Sequence, residues 1–251
     1  GYAAGHLPLG NGYETMIFVA WCLSLLALGI GRRFPIAAAS GLLMSGFALL
    51  VASLGMANPQ ITPLVPVLRS PWLSLHVSLI MVSYALLGLL MLNGTAALAL
   101  AAAARAGTAE RTSRTLARLR LFGRLLLYPA VFLLTAGIFT GAVWANASWG
   151  RYWGWDPKEV WALITLIVYA LPLHEQSLAR FRRPLFFHAY TLWAFAAVLM
   201  TYFGVNYLLG GMHSYGGGFR PGYAAATVFA AVTAFALLTV AALIRQRRTD
   251  T

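Results

Sequence analysis

The hydrophobic pattern divides the chain into seven long apolar segments, and the connections between them hold nearly all of the charges. Most of the segments approach the roughly 20 residues that an α-helix needs to cross a bilayer. They lie at 13–30, 36–55, 73–104, 125–145, 160–174, 185–208 and 223–244. The predicted fold class is therefore all-α: a polytopic transmembrane helix bundle of about seven spans, forming a single integral-membrane domain over residues 1–251.

The composition agrees with this pattern. Hydrophobic residues make up 60% of the chain and charged residues only 10%, whereas soluble domains carry about 25% charged residues. The single cysteine, Cys22, excludes a disulfide framework and a Cys-x-x-Cys redox pair, so the protein is not itself a thiol oxidoreductase. We expect Cys22 to be a small packing residue of the first helix.

The basic residues predict the orientation in the membrane. Fourteen of the eighteen lie in alternate connections, at 31–35, 105–124, 175–184 and 245–251. The other four are Arg69, Arg151, Lys158 and Arg220, which lie in the remaining connections at 56–72, 146–159 and 209–222. By the positive-inside rule the first set is cytoplasmic, and the second set, with residues 1–12, lies outside. The net charge of +12 is thus mainly a topology signal, and we do not expect a nucleic-acid partner. Because residue 1 falls outside without a signal peptide, we expect one further amino-terminal helix.

A tryptophan-rich segment at 149–161 stands apart from these spans. Five large aromatic residues lie within it: Trp149, Tyr152, Trp153, Trp155 and Trp161. Flat aromatic faces beside cations suit a large, flat, amphipathic ligand with anionic groups. The alternative is an interfacial belt of aromatic residues at the level of the lipid headgroups. In an extended segment Trp153 and Trp155 would point the same way and could support one face of such a ligand.

The same segment carries the signature of a helix start. Asp156, Pro157 and Glu159 fit the N-cap, N1 and N3 positions of a capping box. A cap role for Asp156 is compatible with a ligand site, since the cap would hold the preceding tryptophans at the helix mouth. As a cap alone, Asp156 should tolerate asparagine but not alanine.

The histidines supply candidate metal ligands. His76 lies in the first two turns of the third span, where ligand and structural roles are equally plausible. His213 lies in the glycine-rich run 210–218, which favours a ligand over a linker, because glycines permit close approach to a bound group. His174 and His188 lie toward the cytoplasmic side and cannot be separated by position. We expect His6 to be a solvated loop residue.

Two histidines and four cations on the predicted outer side match the needs of haem, which takes axial imidazoles, apolar contacts and cations for its propionates. Zinc would require three or four close ligands including cysteine or a carboxylate. The sequence presents no such cluster in its local pattern.

Several motifs resemble the WWD family of haem-handling membrane proteins of cytochrome c maturation, in its CcsA (or ResC) type. They are Trp149 to Glu159, Pro8 to Glu14, the histidine of the third helix, the histidine closing the fifth, Val205 to Tyr207 and Gly211 to Tyr215. The resemblance covers nearly the whole chain. It implies that the cargo is haem b, that His76 and His213 bind the outer haem iron, and that His174 binds the inner one. His188 has no counterpart and is expected to be structural.

The resemblance also implies contacts and partners. The haem-binding set would be Trp149, Arg151, Trp153, Trp155, Asp156, Lys158, Trp161, Arg69 and Arg220. The chain would work with a ResB/CcsB-type membrane partner to move haem outward and attach it to the Cys-x-x-Cys-His of apocytochrome c, as one component of a cytochrome c synthase (haem lyase). Thioredoxin-like thiol reductants would serve the same pathway. The membrane would be the bacterial cytoplasmic membrane or the thylakoid.

Two alternatives remain open at this point. A haem carrier of the related CcmC type would share the aromatic segment and both outer histidines, but would not need an inner site at His174. A haem-free membrane scaffold would show no Soret absorption after purification.

Overall fold

The computed structural model describes residues 12–33, 35–53, 70–209, 211–212 and 222–250, and every regular element within them is helical. The all-α prediction is confirmed. The main helices are α1 (Gly12–Ile30), α2 (Pro35–Ser53), α3 (Pro71–Ala103), α4 (Ala109–Trp149), α5 (Pro157–Ala170), α6 (Pro184–Leu199), α7 (Val205–Leu208) and α8 (Gly222–Asp250). A π-helical turn, Met200–Gly204, joins α6 to α7.

Four helical stretches of the described chain are long and apolar enough to cross a membrane. They are Pro71–Ala103, Ala109–Trp149, Pro184–Gly204 and Phe229–Gln246, and the shorter apolar stretches are Tyr13–Gly29 and Ala38–Leu50. Helix α5 has 14 residues and continues as the 3₁₀ turn Leu171–His174. Together they span about 29 Å, close to the thickness of a bilayer core. The helical membrane character predicted from the sequence is thus confirmed.

The connection predicted at 105–124 is mostly helical. After the 3₁₀ turn Ala106–Thr108, helix α4 begins at Ala109 and runs for 41 residues to Trp149, through Pro129. Alanine, leucine and arginine in this stretch are all good helix formers. Glu110 also pairs with Arg114 at the (i, i+4) spacing that supports an exposed helix. This basic connection is therefore mainly the first part of α4, and the predicted span at 125–145 lies within the same helix.

The chain forms two compact units. Unit one comprises residues 1–89 and 126–155, and unit two comprises 90–125 and 156–251, so helices α3 and α4 contribute to both. In unit one, α1 and α2 form a hairpin in which the Ser45 hydroxyl donates to the Ala20 carbonyl, 2.8 Å away. Cys22 is buried against Leu23 and Ala85, which confirms its packing role.

Unit two has its own apolar core. It consists of Leu98, Ala101, Leu185, Leu192 and Ala242. A hydroxyl pair, Thr165 and Thr201 at 2.9 Å, joins α5 to the π-helical turn, and the Thr201 hydroxyl also lies 3.1 Å from the Trp161 carbonyl. These bonds fix the first half of α5, which follows the tryptophan-rich segment, against the end of α6.

Candidate functional site

His76 is held in a defined tautomer. Its Nδ1 lies 2.6 Å from the carbonyl oxygen of Gly137 on helix α4, within unit one. Because a carbonyl oxygen can only accept, Nδ1 carries the proton and donates it. The neutral ring then has its lone pair on Nε2. A backbone carbonyl on the other ring nitrogen is the usual arrangement for a metal-binding histidine, since it sets both tautomer and ring orientation.

Two glycines make room for this ring. A Cβ atom at Gly141 would lie 2.6 Å from both Cε1 and Nδ1 of His76. A Cβ at Gly137 would lie 2.6 Å from Cδ1 of Ile80, one helical turn further along α3. Neither glycine was predicted from the sequence as part of the site. The signal was present as a Gly-x-x-x-Gly spacing, which allows close approach of membrane helices.

Helix α4 ends where the tryptophan-rich segment begins. Gly150 has a φ of 73°, the left-handed conformation that commonly ends a helix, and its N–H donates to the Asn146 carbonyl at 2.9 Å. Trp149 is therefore the last helical residue, and its ring meets the buried Trp144 edge-on, with centroids 4.7 Å apart. This contact orients Trp149 before any ligand binds.

Trp153 and Trp155 do not form a flat pair. Their ring centroids lie 5.9 Å apart, and the ring planes are inclined at 88°. The extended conformation assumed from the sequence is wrong at Trp155, whose φ is 56°. A left-handed backbone at a bulky residue costs about 1–3 kcal/mol and persists only when its surroundings hold it. Trp155, which has this strained backbone, is 70% exposed.

Arg151 lies over a glycine of the same segment. A Cβ atom at Gly154 would come within 2.9 Å of Cζ and Nε of Arg151. The second glycine of the segment therefore lets the guanidinium lie close to the backbone. The exposed Arg151 thus stays next to the aromatic residues, where a cation for an anionic ligand was predicted.

The predicted capping box is confirmed at the start of α5. Asp156 Oδ2 accepts from the Lys158 N–H at 3.2 Å, and Glu159 Oε2 accepts from the Asp156 N–H at 3.1 Å. The other carboxylate oxygen of Asp156 accepts from the Met212 N–H at 2.7 Å. This second bond was not foreseen, because it joins residues 56 apart in the chain.

Lys158 precedes the apolar part of α5. Its Nζ donates to Asn206 Oδ1 at 2.8 Å. Burial lowers the pKa of Lys158 to about 8, while the neighbouring Asp156 carboxylate opposes the shift. The side chain therefore remains cationic at neutral pH. Trp161, one turn further, is half-buried and accepts from the Thr165 hydroxyl at 2.8 Å through its carbonyl.

His174 ends the 3₁₀ turn that follows α5, as the position of Pro172 predicted. Its Nδ1 lies 3.0 Å from the Ala170 carbonyl, so this exposed ring also has its lone pair on Nε2. The tautomer matches that of His76. In both rings Nδ1 therefore bonds to a backbone carbonyl, and the predicted metal-binding roles stay predictions.

A double arginine clamp holds the residue next to His174. The Glu175 carboxylate pairs with Arg120 and with Arg124, whose Nη1 is 2.9 Å from Oε1. Arg120 Nε also donates to the Phe181 carbonyl at 3.0 Å. From the sequence, both arginines were interpreted only as topology signals. No local signal could reveal the clamp, since Arg120 and Glu175 are 55 residues apart.

His188 has a different environment. It is fully buried, and its Nε2 lies 3.3 Å from the Leu116 carbonyl, to which it donates. Within the described part of the chain its Nδ1 has no hydrogen-bond partner. Full burial distinguishes this ring from the exposed His174, and the structural role predicted for His188 stays a prediction.

Four residues of the sequence analysis lie outside the described residues. They are His6, Arg69, His213 and Arg220. Their predicted roles stay predictions.

Comparisons with known proteins agree with the motifs. A family model for Cytochrome C assembly protein matches residues 9–213. Over 217 residues the chain is 42% identical to Protein NrfI of Wolinella succinogenes, covering 86% of this chain and 24% of that protein. It is 37% identical to cytochrome c biogenesis protein CcsA of Chlamydomonas reinhardtii over 85% of this chain and 62% of the relative. The CcsA of Synechococcus sp. (strain WH7803) is also 37% identical, with 86% and 78% covered. The chain thus spans about a quarter of NrfI and less than two thirds of the algal CcsA.

Proposed function

The chain belongs to the cytochrome C assembly protein family, and from this premise we propose that it handles haem b during cytochrome c maturation. In this proposal the protein moves haem to the outer face of its membrane and presents it to the Cys-x-x-Cys-His of apocytochrome c. A ResB/CcsB-type membrane protein is the partner, and the two together form the cytochrome c synthase. The membrane is the bacterial cytoplasmic membrane or the thylakoid.

The observation that carries the proposal is the seat of His76. Its Nδ1 is bound to the Gly137 carbonyl, and Gly141 leaves no room for a methyl group beside the ring. Both features would serve a ligand role, because the bond would set the tautomer and the glycine would leave room for the ring. We assign His76 and His213 as axial ligands of the outer haem.

The aromatic and basic residues complete the proposed outer site. Trp149, Trp153, Trp155 and Trp161 would contact the macrocycle, and Arg69, Arg151, Lys158 and Arg220 would face the propionates. The perpendicular Trp153 and Trp155 rings fit an edge-and-face contact better than a flat shelf. The exposed Trp155 ring then supplies the face.

His174 would be the ligand of the inner haem. Its tautomer supports this role, because Nδ1 lies on the Ala170 carbonyl and the ring is exposed. The clamp on Glu175 fixes the neighbouring backbone. These features favour a protein with an inner site over the carrier of the CcmC type, which would not need one.

The test is the absorption spectrum of the protein purified with its partner. We expect a Soret band with bis-histidine character. His76→Gly and His213→Gly should each weaken haem retention, and added imidazole should partly restore the spectrum, since imidazole can replace the missing ligand. His6→Gly is the matched control and should retain haem like the unaltered protein.

Three outcomes would contradict the proposal. Absence of haem from the unaltered complex would favour a scaffold. Unchanged spectra in both single variants would remove His76 and His213 as ligands. If His174→Ala leaves the haem content of the complex intact, the inner site would be refuted and the carrier favoured.

A further inference from the structure

The carboxylate of Asp156 binds two separate segments of unit two at once. Oδ2 accepts from the Lys158 N–H in the first turn of α5, and Oδ1 accepts from the Met212 N–H at 2.7 Å. An N-cap needs only one accepting oxygen. Asp156 is itself buried, with 7% of its surface exposed, whereas Met212 is 39% exposed. The second bond therefore requires a reason other than helix capping.

Gly211 shows how closely the second segment approaches. A Cβ atom at this position would lie 2.5 Å from Asp156 Oδ1 and 3.1 Å from Cδ of Pro157. Only glycine leaves space for such an approach of one backbone to a buried carboxylate. The glycine before Met212 thus permits the bond that Met212 makes.

Lys158 forms a second link between the same two segments. Its Nζ lies 2.8 Å from Oδ1 of Asn206, the second residue of α7. One turn of α5 therefore holds the chain at residue 206 and again at residue 212. The residue that follows Met212 in the sequence is His213.

We propose that Asp156 is a positioning residue for His213. Its Oδ1 anchors the backbone directly before the histidine, while its Oδ2 and the capping box anchor Asp156 to α5. The aspartate that closes the tryptophan-rich motif thereby anchors the residue that directly precedes the second axial ligand in the sequence. This inference rests on the proposed function only in taking His213 as a haem ligand.

The geometry changes what is expected of asparagine at this position. An asparagine side chain has one accepting oxygen, whereas Asp156 uses two. Asp156→Asn can therefore keep the bond to Lys158 or the bond to Met212, but not both. A cap alone predicts that asparagine is tolerated. With two bonds at stake, haem retention in Asp156→Asn should instead lie between that of the unaltered protein and that of Asp156→Ala.

Hydrogen exchange in the haem-free protein tests the anchor itself. The amide of Met212 should exchange slowly in the unaltered full chain and at least about tenfold faster in Asp156→Ala and in Gly211→Ala. Gly211→Ala is the decisive variant, because it keeps the Asp156 carboxylate and places a methyl group where the loop approaches it. Glu110→Gln and Gly46→Ala are the matched controls, since Glu110 forms only an exposed pair and a Cβ at Gly46 meets nothing within 4 Å. Unchanged exchange at Met212 in Gly211→Ala would overturn the proposal.

Haem retention tests the positioning. In the complex with its partner, Gly211→Ala should weaken outer haem binding by about 10- to 100-fold, the usual effect of losing a residue that orients a metal ligand. Added imidazole should restore the bis-histidine spectrum, because the displaced group is the ligand itself. A variant with fast Met212 exchange but normal haem retention would refute the positioning role.

The proposed function and the positioning role of Asp156 can be refuted separately. If the unaltered complex binds no haem, the proposed function fails, while the exchange data still decide whether Asp156 anchors the loop. If haem is bound and His213→Gly loses it, but Gly211→Ala and Asp156→Ala behave like the unaltered protein, only the positioning role is wrong.

Discussion

Replacement of Gly141 by alanine tests the seat of His76 directly. The added methyl group would lie 2.6 Å from Cε1 and Nδ1 of the imidazole, whereas ordinary contact begins at 3.4 Å, so the ring must move by about 0.8 Å. That movement also strains the 2.6 Å hydrogen bond to the Gly137 carbonyl. Overpacking of this kind costs about 1–3 kcal/mol.

The stability of the fold should change much less than haem binding. Alanine is favoured over glycine in a helix interior by about 0.5–1 kcal/mol, which offsets part of the overpacking. Haem affinity gains nothing from the alanine that would offset the displacement of the imidazole. If about 1.4 kcal/mol of the overpacking falls on ligation, haem affinity drops about tenfold.

The assay compares Gly141→Ala with Gly46→Ala, the control whose added methyl group meets nothing within 4 Å. Thermal unfolding and haem titration are measured for both variants in the complex with the partner. We expect Gly141→Ala to unfold within a few degrees of the unaltered protein and to bind haem about tenfold more weakly. Equal haem affinity in the two variants would refute the argument that Gly141 seats a ligand.

Three further predictions follow from the rest of the site. Arg120→Lys keeps the charge but loses the guanidinium fork that binds Glu175 and the Phe181 carbonyl. It should lower haem occupancy at His174 about tenfold in the absorption spectra. Arg114→Lys, in the exposed pair with Glu110, is the control and should leave that occupancy unchanged. Trp155→Gly relieves the strain of the positive φ and removes the ring. Its free energy of unfolding should exceed that of Trp155→Ala by about 1 kcal/mol. Both variants should lose haem retention, and retention in either one would exclude a contact role for the ring. Because the pKa of Lys158 is lowered to about 8, its charge is present below that pH and is lost above it. Haem retention should therefore decline as the pH rises through about 8 to 9. Lys158→Arg should abolish that decline, since arginine keeps its charge. A pH profile that is the same for both proteins would remove Lys158 from the propionate contacts.

The sequence by itself determined the features that depend on neighbours along the chain. Hydrophobic spans follow from the cost of placing polar groups in lipid, which any helix in a membrane must meet residue by residue. The capping box at Asp156 and Glu159 involves residues three apart, and the end of α5 near Pro172 follows from a missing N–H. These predictions are confirmed because no distant contact is needed to satisfy them.

Only the tertiary structure decided which residues serve the candidate ligands. The bond from His76 to the Gly137 carbonyl joins residues 61 apart, and that from Met212 to Asp156 joins residues 56 apart. Helix packing brings these pairs together, and no local propensity encodes the meeting. The same holds for the left-handed Trp155: sequence favours an extended residue there, but the surroundings hold a strained backbone instead. Local chemistry thus specified where the helices lie, and packing between distant segments specified how the His76 ring is oriented.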